Sequence, residues 1–297
     1  MARKWADNAR RRKFNFTFML LTQTIPQIRA QLKKEKSQGK KIAFVPTMGA
    51  LHEGHLALVK KARELAEIVV VSIFVNKTQF DDLADYQKYP KQVEQDSELL
   101  KNCGANYAFV PESSEIFADD FAFKLLPTKL TNCLCGSARI GHFDGVALIV
   151  SKLFNIVKPD IAIFGEKDFQ QVAIIRKLVE DFNFDVEIIS CEIIREKSGL
   201  AMSSRNQRLS EASKIKASEI FKTLSEIKAE VKNSPDQCEA ILQKHREKLL
   251  QSGFEKIDYL EIREEKNLEL VTDFKTVVRI FIAVYLDGVR LIDNMQL

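Results

Sequence analysis

Along the chain, short apolar runs alternate with stretches in which apolar residues recur every three to four positions. Between residues 23 and 38, Ile25, Ile28 and Leu32 mark one face of a helix that Gly39 ends. Residues 41–45 are short, apolar and stopped by Pro46, which predicts a buried strand. Leu56, Val59, Ala62 and Leu65 return to helical spacing, and residues 68–75 form a β-branched run of the kind buried on both faces of a sheet. Strand, helix and strand at this spacing make a βαβ unit, and hence a parallel sheet. The alternation continues with helices over 86–102, 146–157 and 172–179 and strands at 107–110, 161–164 and 186–189. The fold class expected for residues 19–193 is therefore α/β, a doubly wound parallel-sheet (Rossmann-like) domain.

After Arg205 the texture changes. Ser210 can cap a helix carrying Ile215, Ile220, Leu224 and Ile227, and Ser234-Pro235 suits the start of a second helix that stops near Gly253. Residues 257–262, 277–286 and 289–292 read as strands, with Asp287-Gly288 as a two-residue hairpin turn between the last two. A smaller α+β domain is expected over 194–297. The sequence contains no internal repeat and no low-complexity segment.

Composition narrows the choice of function. No apolar run reaches the roughly eighteen residues of a membrane span, so no membrane partner is expected. The net charge of +4 is concentrated at the start, where residues 1–18 carry six basic side chains against Asp7 alone. The remaining body is close to neutral, whereas a nucleic-acid partner requires a basic face. The basic extension has no continuous apolar core of the secretory kind. It reads as a targeting segment, a nucleic-acid arm or, most simply, an upstream extension of the reading frame with Met19 as an alternative start. Five irregularly spaced cysteines predict reduced thiols and a cytoplasmic protein, and Cys133 with Cys135 is too small a set for zinc.

Three constellations carry chemistry. Pro46-Thr-Met-Gly-Ala-Leu-His-Glu-Gly-His55 lies between a strand and a helix. Its glycines let backbone approach a ligand, and the helix start attracts anions. His52 and His55, three apart, can face one way toward nucleotide phosphates, unlike the four-apart pair of zinc proteases. Phe164-Gly-Glu-Lys-Asp168 follows another strand, at the sheet edge where open α/β folds bind ligands. Such a charged triplet is ordinary on its own, and its position gives Lys167 its interest. Met202-Ser-Ser-Arg205 combines two hydroxyls and a guanidinium suited to a triphosphate. A histidine pair after the first strand and a serine-and-base loop after the last resemble the HIGH-type nucleotidyl transferases.

Further blocks narrow the resemblance. Residues 45–55, Ser72-Ile-Phe-Val-Asn-Lys-Thr-Gln-Phe80, Tyr89-Pro-Lys91, Arg139-Ile-Gly-His-Phe-Asp-Gly145, Lys152-Leu-Phe-Asn-Ile-Val-Lys-Pro-Asp160, 164–171 and Gly199-Leu-Ala-Met-Ser-Ser-Arg-Asn206 together look like the pantothenate synthetases (pantoate–β-alanine ligases). The likeness covers about residues 23–290. It implies ATP-dependent joining of pantoate to β-alanine through a pantoyl adenylate, releasing pyrophosphate and AMP. Mg²⁺ would accompany the ATP, and a homodimer would be the assembly.

Carried over by matching motif, Met48, Gly49, Ala50, Leu51, His52, Glu53, Gly54 and His55 would bind ATP, with His55 in an acid-type role. Gly165, Glu166, Lys167, Asp168, Met202, Ser203, Ser204 and Arg205 would complete that site, and Ile194 would offer backbone to the adenine. His52, His55, Lys167 and Arg205 would be the catalytic groups. Gln79 and Gln171 would hold pantoate, and Gln79 would also border β-alanine. Asp96 reads either as a magnesium-side carboxylate or as a solvated helix residue. Arg139 would face the second substrate or a dimer edge, His142 would hold the Arg139 loop, Tyr89 would serve packing, and His245 would lie on the surface. The family usually has proline where Lys77 stands and aspartate where Ser198 stands, which bears on loop geometry and not on the reaction. The competing readings are another HIGH-type adenylyl transferase, or a non-catalytic nucleotide- or RNA-binding module using the basic extension.

Overall fold

The computed structural model describes residues 18–81 and 83–297, so the basic extension expected over 1–18 lies, but for Phe18, outside the described residues. Six strands form the first sheet: β1 (Leu20–Thr22), β2 (Ile42–Thr47), β3 (Ile68–Ile73), β4 (Tyr107–Phe109), β5 (Ile161–Gly165) and β6 (Glu187–Cys191). Their spatial order is β1-β4-β3-β2-β5-β6, with every pairing parallel. The β-branched run of β3 is buried throughout, as a central strand covered on both faces must be. β1 escaped the sequence pattern because Leu20 and Leu21 stay exposed at the sheet edge and only Thr22 is buried.

The connecting helices are α1 (Ile25–Ser37), α2 (Glu53–Leu65), α3 (Val93–Cys103), α4 (His142–Val157) and α5 (Phe169–Asp181). One apolar cluster combines residues of α1, α4 and α5 with one sheet face; another combines α2 and α3 with the opposite face. The single helix expected over 86–102 is divided into Leu83–Gln87 and α3. Pro90 lies in the gap, where a proline ring is not accommodated by a continuing helix.

A second layer follows. α6 (Glu219–Asn233) and α7 (Cys238–Gln251) cover an antiparallel sheet of β7 (Lys256–Glu264), β8 (Val278–Leu286) and β9 (Val289–Gln296), in that order. The Ser210 cap accepts from the Ser213 amide as expected, but its helix ends at Ala217 and α6 starts afresh, leaving Ile215 exposed. Asp287 and Gly288 both have positive φ, at 51° and 67°, the pairing a type I′ hairpin requires. Expected on the surface, His245 is instead buried on α7, with Nε2 3.1 Å from Glu230. The two layers meet where Tyr259, Leu268, Phe281 and Ala283 join the core of the first sheet; Phe281 lies 5.9 Å from Phe169, centroid to centroid.

Candidate active site

The chain runs outward from β2 through β3 to β4, then returns to add β5 and β6 on the other side of β2. The segments leaving the carboxyl ends of β2 and β5 are therefore neighbours at the point where strand order reverses, the usual ligand crevice of such sheets. A cavity of about 250 Å³ opens there. Met48, Gly54, His52, His55, Gln79, Gly165, Lys167, Asp168, Gln171, Ile194, Met202, Ser203, Ser204 and Arg205 line it.

The first loop is shaped before any ligand is considered. Thr47 donates its hydroxyl to Ser72 O (2.6 Å) and accepts the Gly49 amide (3.2 Å). Gly49 has φ +82°, and a Cβ on it would stand 2.9 Å from the Asp96 carboxylate. Ala50 also takes positive φ, an arrangement that costs a non-glycine residue about 1 kcal/mol or more. Fully buried Asp96 offsets that cost by accepting the Ala50 and Leu51 amides at 2.9 and 2.8 Å. This corrects the solvated reading of Asp96, whose two oxygens accept loop amides. Among the described residues, no group of three or more His, Cys, Asp or Glu side chains is arranged to hold a metal ion.

His52 caps α2 in an unusual way. Its Nδ1 accepts the Gly54 amide (3.1 Å), and His55 Nδ1 accepts the His52 amide (3.4 Å). Each ring therefore carries its proton on Nε2. Burial, reinforced by the Lys167 charge, lowers His52 to about 4. Burial, with His52 and Lys167 nearby, lowers His55 to about 3. Two neutral imidazoles 4.1 Å apart, centroid to centroid, thus carry their protons on Nε2.

The second loop is a single 3₁₀ turn, Glu166–Asp168, that runs directly into α5. Lys167 Nζ lies 3.9 Å from the Asp168 carboxylate. Burial would raise Asp168, but Lys167 and Arg205 outweigh it and hold the carboxyl below its ordinary range. In the third loop, Ser203 accepts the Arg205 amide (3.2 Å), and Ile194 O accepts the Met202 amide (2.9 Å). Arg205 is engaged by Asp85 at 2.9 Å, which also pairs with Arg208 at 3.1 Å. Gly49, Ala50, Leu51, Glu53 and Glu166 are not among the cavity's lining: Thr47 accepts the Gly49 amide and Asp96 those of Ala50 and Leu51, Glu53 approaches Lys60 on α2, and the Glu166 carboxylate accepts from Ser190 and Arg279.

Gln79 sits in the turn Lys77–Gln79, whose neighbour Asn76 is almost wholly buried. Asn76 donates to Gln79 Oε1 (3.1 Å) and to Gly145 O (3.0 Å), and accepts from Thr78 (2.9 Å). Gln79 Nε2 reaches Met48 Sδ at 3.0 Å, joining this turn to the first loop. His142 donates from Nδ1 to Gln79 O (2.6 Å), leaving Nε2 to accept from Arg139 (3.1 Å). Burial and the Arg139 charge keep that ring neutral, at about 4. His142 therefore holds the Arg139 loop, as expected. Tyr89 packs edge-on against Phe80, with burial raising its phenol, and it also borders the cavity.

The family model described as pantoate-beta-alanine ligase matches residues 20–296. The chain belongs to the pantoate–β-alanine ligase family. It is 43% identical over 277 residues to the pantothenate synthetase of Caldicellulosiruptor bescii, covering 93% of this chain and 98% of that one. The enzyme of Shewanella woodyi is 45% identical over 280 residues, at 93% and 99% coverage. Among solved ligases, the pantothenate synthetase of Thermus thermophilus superposes with a TM-score of 0.87 at 38% identity, covering 94% of this chain and 99% of that chain. The Francisella tularensis enzyme complexed with beta-gamma ATP and beta-alanine superposes at 0.79 and 37%, covering 94% and 98%. The two departures from the family pattern fall in segments with their own support. Asn76 braces the turn at Lys77, and Ser198 accepts the Leu200 amide at 3.4 Å.

Sequence reasoning missed Asn76, Asp85 and the loop-clamping role of Asp96. Asn76 stands inside the Asn-x-x-Gln-Phe block and could have been singled out there. Nothing local marks Asp85 or Asp96, because their partners lie 120 and 45 residues away.

Proposed function

We propose that this ligase condenses pantoate with β-alanine in two steps at the cavity between β2 and β5. The pantoate carboxylate attacks the α-phosphorus of ATP, forming pantoyl adenylate and releasing pyrophosphate. The β-alanine amine then attacks the acyl carbon; the carbon–oxygen bond to AMP breaks, and the amine loses its proton. The carrying observation is the meeting of neutral His52 and His55, cationic Lys167 and Arg205, and the amides of Gln79 and Gln171 in one cavity.

The substrate supplies the nucleophile, so positioning and charge stabilisation carry the rate. His52 and His55 would donate Nε2–H bonds to phosphate oxygens, while Lys167 and Arg205 balance the charge that develops as pyrophosphate leaves. Ser203 and Ser204 add donors, the Gly165 and Ile194 backbone borders the base, and Gln79 and Gln171 orient pantoate, with Gln79 also beside β-alanine. Mg²⁺ enters with ATP as part of that substrate, since it keeps most of its waters and binds through phosphates. Residues 19–193 and 194–297 act as two domains, and a cytoplasmic homodimer is the expected form; all five thiols are free.

The test is product release from ATP and Mg²⁺, first with pantoate and then with β-alanine. Pyrophosphate with pantoate alone, followed by AMP and pantothenate only once β-alanine is added, supports the two steps. No pyrophosphate with pantoate, and no change with β-alanine, overturns them.

A further inference from the structure

The turn that carries Lys167 is held from the far end of the chain. Asn294, on β9 and 2% exposed, donates its Nδ2 to both Glu166 O (2.8 Å) and Lys167 O (3.0 Å). These carbonyls flank the Lys167 α-carbon, so one side-chain amide sets the peptide planes on either side of it. The amide is itself locked. Its Oδ1 accepts from Arg279 Nη1 at 2.6 Å, and Arg279, 5% exposed, lies over the Phe169 ring at 4.0 Å. Arg279 also donates to Glu265 (2.8 Å) and to Glu166 (3.3 Å). In the β8–β9 register Asn294 is opposite Phe281, two residues on from Arg279, so all three point from the same sheet face.

Burying an arginine and an amide this thoroughly is costly unless every group is partnered. Simple packing of the second sheet on the first would be served by apolar residues of similar size. What the polar set adds is direction, since two hydrogen bonds from one planar group leave the turn little rotation.

We propose that Asn294, oriented by Arg279, is a positioning residue for Lys167: it aims the ammonium at the nucleotide phosphates without touching them. The proposal rests on Lys167 being a phosphate ligand, as read above. Removing the amide frees the turn while leaving Lys167 in place, and misplacement near 1 Å at such a site costs on the order of 100-fold.

The test is a double-mutant cycle of wild type, Asn294→Ala, Lys167→Ala and the pair, with two readouts. Calorimetric affinity for a β,γ-nonhydrolysable ATP analogue requires no turnover, and steady-state kinetics give the KM values for ATP and β-alanine. Asn294→Ala is expected to weaken analogue binding and kcat/KM for ATP by roughly 10- to 100-fold, with the KM for β-alanine unchanged. In the Lys167→Ala background the same substitution should cost nothing further. Asn294→Asp keeps the shape and the Arg279 contact but turns an oxygen toward the two carbonyls, and it should be at least as damaging. Equal losses in both backgrounds, or wild-type kinetics in Asn294→Ala, overturn the proposal. Unchanged ATP binding in Lys167→Ala alone overturns the reading beneath it and the proposal with it. If Asn294→Ala does not fold, Arg279→Lys takes its place in the cycle, with the same expected pattern and the same overturning results.

Discussion

At the head of α2, two imidazoles are used as backbone caps, which fixes their tautomers and keeps them uncharged at neutral pH. Burial holds both below the 6.5 of a free histidine, so the unfolded chain takes up protons first as pH falls. Stability contributed by these neutral rings is intact above about pH 6.5 and declines toward about pH 4 and below. Carboxylates such as Asp81 and Asp168 decline over part of the same range, so the comparison must be with a variant. In urea unfolding at about pH 7 and about pH 4.5, wild type should lose more stability than the His52→Asn/His55→Asn double variant. An equal loss would mean that the rings titrate normally. Asp96 acts at the same scale. Asn in its place offers one acceptor for two amides, so Asp96→Asn should cost about 1–3 kcal/mol and raise the KM for ATP. Denaturation midpoints and initial rates check both effects.

Among the elements, α4 bears most directly on the site because it grips the Gln79 turn through Gly145. A Cβ at that position would run into the Thr78 carbonyl and the Gln79 amide. Gly145→Ala should therefore push the turn away, raising the KM for pantoate more than that for ATP; equal changes in both would place the disturbance elsewhere. Most elements were legible in the sequence. The short apolar runs of β2, β3 and β5, separated by helical spacing, identify buried parallel strands without further help. Boundaries were lost at breaks within expected helices: Pro90 lies where one is divided, and the Ser210 helix ends at Ala217 before α6 begins. The catalytic candidates His52, His55, Lys167 and Arg205 were readable because side-chain chemistry and position at strand ends coincide. Asp96 and Asn294 were not, since their meaning depends on partners 45 and 128 residues distant.

For the whole molecule, β9 is the member that ties the two layers to one site. Next to Asn294, Asp293 takes Arg195 in a bidentate pair at 2.6 and 3.0 Å. Arg195 also donates to Gly199 O (3.0 Å) and lies over the Phe221 ring at 4.1 Å. Adjacent residues of one strand thereby brace the segment leading to Met202–Arg205 and the turn holding Lys167. Arg195→Met leaves a buried carboxylate without its counter-charge, which costs about 3–5 kcal/mol. A fall in the thermal midpoint together with weaker ATP binding is expected. Weaker stability with undiminished ATP affinity would separate the brace from the site.

That brace also orders events in time. Asn294 comes 127 positions after Lys167, so a chain emerging from the ribosome can assemble the first sheet long before the amide that aims Lys167 has been synthesised. Nucleotide grip should then be the last property a newborn molecule acquires. In refolding, recovery of ATP-analogue binding should lag behind recovery of secondary structure, and a half-made chain would compete poorly for the cell's ATP.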